Sequence, residues 1–160
     1  MPVLPLPTAD TWRQNHLGHW LRLALERFDA RVLALMAQHP GVPLGLSNLA
    51  ERGQVGAAHV HITRHLAQEG SRLTDLAQRA GMSKQAMGTL VNQCEAWGMV
   101  QRTDDPGDAR AKRVQFTAIG LAWLAAYEDA VRQAEAELHE AISPEVATVI
   151  ALGLEAYGGH

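Results

Sequence analysis

The chain has one cysteine, Cys94, in 160 residues. An internal disulfide is therefore excluded, and a single thiol suits a reducing compartment. Long apolar runs are also missing. Arg, Glu or His interrupts each one, so no segment is expected to span a bilayer. The opening MPVLPLPTAD has no basic stretch and no apolar core of leader length. It reads as an extended, proline-stiffened arm and not as a secretory signal. There is no Ser/His/Asp triad signature, no Gly-rich phosphate loop and no zinc-protease motif, which argues against an enzyme. Internal repeats and low-complexity segments are absent too.

Strong net charge is the last absence. The total is −3. An even spread would argue against a polyanionic partner, but the spread is uneven. Residues 72–113 hold seven Lys/Arg against five Asp/Glu, whereas residues 128–155 hold one Arg against seven acids. The middle can approach a polyanion, and the C-terminal part should stay away from it.

What is present is mostly helical pattern. Over residues 10–38, Leu17, Leu21, Ala24, Leu25, Phe28, Val32, Leu35 and Met36 recur at spacings of three and four, which predicts a long amphipathic helix stopped by HPGVP. LSNLAER predicts a short helix closed by Gly53, and GAAHVHITRHLAQEG another ended by Gly70. SRLTDLAQRAG predicts a short helix with Ser71 as N-cap, and MSKQAMGTLVNQCEAWG one capped by Ser83 and ended by Gly98. Thr117 should cap a long helix running to about Ala141. Ser143-Pro144 opens the last helix. The outer helices carry more apolar surface than one small core can cover, so their expected partner is a second copy of the chain.

Residues 73–91, LTDLAQRAGMSKQAMGTLV, carry the functional signal. Leu76 and Ala77 should face inward, Gly81 permits a sharp turn, and Met87, Leu90, Val91 and Cys94 form the apolar face of the second helix. This is a helix-turn-helix. Its free face holds Gln85, Thr89, Asn92 and Gln93, with Ser83 and Lys84 at its start. Gln and Asn suit the two-bonded edge of adenine, Thr suits a thymine methyl, and Lys84 suits a phosphate. The bland alternative, a solvated helix face, would more often carry Glu/Lys pairs.

RTDDPGDARAKRVQFT follows directly. Val114 and Phe116 alternate with Gln115 and Thr117, so one face should root in the core. Asp104, Asp105, Pro106, Gly107 and Asp108 have strong turn character and should stay exposed. Arg110, Lys112 and Arg113 then project, with Asp108 as wing support. A basic hairpin beside a helix-turn-helix is a winged helix, and its cations can reach phosphates or a minor groove. Neighbouring carboxylates can hold such an Arg in a fixed direction.

These residues resemble the winged-helix core of the MarR family of transcriptional regulators. The match runs through Leu76-Ala77, Gly81-Met82-Ser83, Leu90 to Val100, Arg102, Asp108-Ala109-Arg110 and Val114-Gln115-Phe116-Thr117 with Gly120. Ala109 stands where many members have a second Arg. The resemblance implies a homodimer on a palindromic operator, with the second helix in the major groove and Arg110 in the minor groove. It also implies a repressor released by a small, often aromatic and anionic, effector. The expected architecture is mainly α with a small β-hairpin wing: one unit over 1–160, a winged helix-turn-helix over 56–117, and dimerisation helices at 10–38 and 117–157. Expected partners are double-stranded DNA, a second copy and a small molecule, in the cytoplasm. No cofactor is expected.

Other clusters read more plainly. His61 and His65 in HVHITRH share a helix face, a spacing that can hold a metal, but no third ligand stands nearby, so no metal site is assigned. His16, Trp20, His59 and His61 are candidates for an effector pocket; packing is the bland reading. Cys94, on an inward face, reads as core and not as a redox switch. Two other functions stay open: a winged helix that binds protein and not DNA, and a metal-responsive regulator using the HVHITRH histidines.

Overall fold

A computed structural model describes residues 11–51 and 55–159. The N-terminal arm and the Gly53 stop lie outside the described residues. A 3-10 turn, Thr11–Gln14, leads into α1 (Leu17–Ala37). The helix begins later than position 10 because His16 is extended and caps it, its Nδ1 accepting the His19 N–H at 3.2 Å. Next come α2 (Leu44–Glu51), α3 (Ala57–His65), β1 (Ser71–Arg72), α4 (Leu73–Arg79) and α5 (Lys84–Ala96). Strands β2 (Val100–Asp105) and β3 (Asp108–Phe116) form the hairpin, and α6 (Ala118–Ile142) and α7 (Pro144–Gly158) close the chain. The sheet is antiparallel in the order β1-β3-β2. The architecture is mainly α with a small wing, as the sequence predicts.

Two further boundaries differ from the sequence expectation. The α3 helix stops at His65, well before Gly70, because Leu66 turns extended and buries its side chain. Ser71 does not cap α4. Its backbone pairs with Val114, and its Oγ accepts the Ala67 N–H at 3.2 Å. The cap position falls to Arg72, which makes no side-chain cap bond.

The core draws on nearly every element: Val32 and Met36 from α1, Ile62 from α3, Leu76 from α4, Met87, Val91 and Cys94 from α5, Val114 from β3 and Trp123 from α6 are all essentially inaccessible. Close approach of α6 to the start of β2 requires Gly120. A Cβ there would lie 1.9 Å from the Met99 carbonyl oxygen. Polar ties join the long helices to this core. The Arg31 guanidinium grips Glu137 through two bonds of 2.7 Å, joining α1 to α6. Arg64 on α3 reaches Asp29 at 2.7 Å and the Tyr127 hydroxyl at 2.6 Å.

Outside the core the apolar pattern continues, and among the described residues it stays exposed. Leu17 and Leu25 on α1 are 74% and 55% exposed, and Val149, Leu152 and Tyr157 on α7 are 69%, 60% and 88% exposed. No helix among the described residues is long and apolar enough to cross a membrane.

Candidate nucleic-acid interface

The turn between α4 and α5 is built by Gly81, at φ 64, with the Met82 N–H closing on the Ala77 carbonyl at 2.9 Å. Ser83 then caps α5, its Oγ accepting the Ala86 N–H at 3.1 Å. Gly98, at φ 75, ends the helix as its sequence position predicts. Burial of Met87, Val91 and Cys94 fixes the rotation of α5, with Leu90 half-buried beside them. The opposite side is therefore free, and Lys84, Gln85, Thr89, Asn92 and Gln93 are all exposed there. The face carries one cation at its start and otherwise neutral hydrogen-bonding groups. Thr89 Oγ1 donates to the Gln85 carbonyl at 3.2 Å, which leaves its lone pairs and methyl group for a partner. Burial pushes the Cys94 thiol up to about 12, so it stays protonated and inert.

The wing turns at Pro106-Gly107, where Asp105 pairs with Asp108. Its acids do three different jobs. Asp105 is buried, against the expectation for this acidic stretch. Arg72 Nε reaches its Oδ2 at 2.7 Å and the Gly107 N–H its Oδ1 at 2.8 Å. Those two bonds, Arg72 first, hold its carboxyl below the usual range. Asp104 pairs with Lys112 across the hairpin. Asp108 accepts the Arg110 backbone N–H at 3.0 Å. Asp108 thus sets the backbone from which Arg110 projects, while the exposed Arg110 guanidinium is bonded to none of these three acids.

Arg113 stands apart from the other two wing cations. It is half-buried, and its Nη2 donates to the Gly70 carbonyl at 2.7 Å, tying β3 to the loop before β1. Its Nε is buried without a bond among the described residues. A residue not assigned a contact role from sequence joins the helix to the wing. Arg102 on β2 donates to Asn92 Oδ1 at 2.6 Å and to Glu95 Oε2, and its own N–H meets Glu95 Oε1 at 3.2 Å. Its presence in the family-like pattern was the one signal available, and it does not reveal these partners.

The four candidate pocket residues fall in two places. His16 and Trp20 lie on the exposed start of α1, with His19 in ring contact with both. His59 and His61 lie on α3. His59 packs against Trp97 with ring centroids 4.7 Å apart, and burial lowers its pKa against an opposing pull from the Gly56 carbonyl. His61 stacks on His65 at 6.2 Å. Burial first, then the neighbouring His61, Arg64 and Arg79, lower the pKa of His65. A groove of about 410 Å³ on α1 is lined by Arg22, Leu25, Glu26, Asp29, Ala30 and Leu33, none of them among those four. No group of three or more metal-ligating side chains gathers among the described residues.

Comparison with known proteins agrees with this geometry. A sequence model of the MarR family matches residues 54–111. No curated protein matches. Among solved structures, the transcriptional repressor CouR bound to a 23-mer DNA duplex superposes with a TM-score of 0.66 at 19% identity, covering 95% of this chain and 98% of its own. The MarR family protein Rv2887 of Mycobacterium tuberculosis, in complex with salicylic acid, gives 0.61 at 24% identity, covering 89% and 96%. BpsR of Bordetella bronchiseptica, whose DNA binding is regulated by 6-hydroxynicotinic acid, gives 0.62 at 20%, covering 88% and 97%. Residues 54–111 are thus similar in sequence to the MarR family, and the chain shares the fold of these solved structures along nearly all its length.

Proposed function

We propose that this chain is a sequence-specific DNA-binding transcriptional regulator, not an enzyme. It acts in the cytoplasm as a homodimer on a palindromic operator. The observation that carries this reading is the neutral, hydrogen-bond-rich face of α5, held free beside a wing that presents Arg110. Gln85, Thr89, Asn92 and Gln93 read base edges in the major groove. Ser83 and Lys84, at the helix start, hold a phosphate. Arg110 and Lys112 serve the backbone and the minor groove. Arg113 braces β3, which leaves the wing with a lighter grip than three free cations would give.

The dimer part rests on the uncovered apolar faces of α1 and α7. Two copies joined there would form the dimerisation part (10–38 and 117–157) and leave both winged parts (56–117) free. The regulatory part of the reading is a repressor released by an aromatic anion. It is supported by the His61–His65 ring pair beside Arg64 and Arg79, and by similarity in fold to a protein solved with salicylic acid and to one whose DNA binding 6-hydroxynicotinic acid regulates.

The test is a selection of duplex DNA from a random library, followed by salt titration of the enriched sequence. An inverted repeat should emerge, and affinity should fall steeply with salt. Absence of any enriched sequence would leave a protein-binding winged helix as the better reading. Loss of binding on adding salicylate-like acids would support the effector assignment.

A further inference from the structure

We infer that Arg102 fixes the direction of the Asn92 side-chain amide, so that Asn92 offers DNA a hydrogen-bond donor and not the donor–acceptor pair that selects adenine. The inference rests on the proposed DNA reading and deepens it. A guanidinium has only donors, so the Asn92 atom that Arg102 Nη2 meets at 2.6 Å must be the carbonyl oxygen. The amide NH2 then points away from Arg102, on the exposed face that α5 shares with Gln85 and Thr89.

Arg102 is itself held. Its backbone N–H meets Glu95 Oε1 at 3.2 Å and its Nη1 meets Glu95 Oε2, so one carboxylate grips the residue at both ends. Glu95 and Asn92 lie one helical turn apart on α5, and Arg102 lies on β2, which Gly98 turns back along the helix. Both ion-pair partners are only partly exposed, with side-chain accessibilities of 30% and 39%. A charge-assisted bond in that setting is stronger and more directional than one between neutral groups in water.

The consequence is chemical. Adenine selection by Asn needs its oxygen on N6–H2 and its NH2 on N7 together. The oxygen keeps a second lone pair, but Arg102 turns it toward β2, so oxygen and NH2 do not face one base edge together, and the NH2 suits any acceptor in the major groove: N7 or O6 of guanine, N7 of adenine, or O4 of thymine. Cytosine, which shows a donor there, is the base rejected. Arg102 is a positioning residue in this scheme, and Glu95 positions Arg102.

The experiment is random-library selection with the full chain and three variants. Asn92→Ala identifies the operator column that Asn92 reads, as the column that flattens. Wild-type protein should deplete cytosine in that column without favouring adenine over guanine or thymine. Arg102→Met frees the amide, and adenine should rise there by about fivefold or more, while the columns read by Gln85 and Thr89 keep their preferences. Asn92→Asp keeps the contact to Arg102 but presents an acceptor, and should move the column to cytosine or adenine. That variant carries the test even where Arg102→Met does not fold. A wild-type column dominated by adenine would overturn the inference, as would an Asn92→Asp column unchanged from wild type. Enrichment of no sequence by wild-type protein would instead remove the DNA-reading function itself.

Discussion

The indole Nε1 of Trp123 donates to the hydroxyl of Thr63 at 3.2 Å, with both residues buried. Thr63 in turn points its own proton at the His59 carbonyl, at 3.4 Å. The contact joins α6, which runs out toward the proposed dimer interface, to α3 inside the winged part. Thr63→Val keeps the shape of the side chain but removes the acceptor, leaving a buried N–H unpaired. Stability should fall by about 1–3 kcal/mol, read as a lower midpoint in urea with an unchanged slope.

Arg110 is an exposed cation at the tip of the wing, with its backbone fixed by Asp108. Arg110→Ala should weaken operator binding by about 1–3 kcal/mol and lower the salt slope, with the melting temperature unchanged. Equal affinity of variant and wild type across a salt series would remove Arg110 from the interface.

Asp105 sets an acid limit on the wing. Its folded pKa lies below its unfolded value because Arg72 and the Gly107 N–H bond its ionised form. The resulting stability is fully present above the ordinary aspartate range, near pH 4, and is lost as pH falls through the lower folded value. Asp105→Asn should lower stability at neutral pH and flatten the acid decline. Melting temperature against pH, variant beside wild type, gives the comparison, and parallel curves would argue against this pair as a source of the acid limb.

Leu152 stands 60% exposed on α7. A Glu placed there inside an apolar interface would bury an unpaired charge. Leu152→Glu should therefore shift the protein from dimer to monomer in sedimentation, and operator affinity should fall by about a hundredfold as the second half-site is lost. A variant that sediments like wild type would move the interface elsewhere.

Much of this was legible in the sequence because it depends on local periodicity. Val32 and Met36, then Met87, Val91 and Cys94, recur at helical spacing, and each is buried as that spacing predicts. Ser83, Gly81 and Gly98 mark the ends of α4 and α5 because caps and positive-φ turns are properties of a few adjacent residues. The free face of α5 follows from the buried one.

Partners far apart in the chain were not legible. Ser71 has the look of a helix cap, yet it lies in a strand because β3 pairs beside it, Ser71 against Val114. Arg113 has the look of a wing cation, yet the same strand pairing brings it to the Gly70 carbonyl. Asp105 is buried beside Arg72, which reaches it from another strand.

The sequence by itself determined the helices, the hairpin and the polar character of α5, since residue spacing decides which side of an element meets the core. Tertiary structure alone decided how the polar groups are aimed. A hydrogen bond between Asn92 and Arg102 depends on where β2 returns along α5, and no local pattern encodes that return.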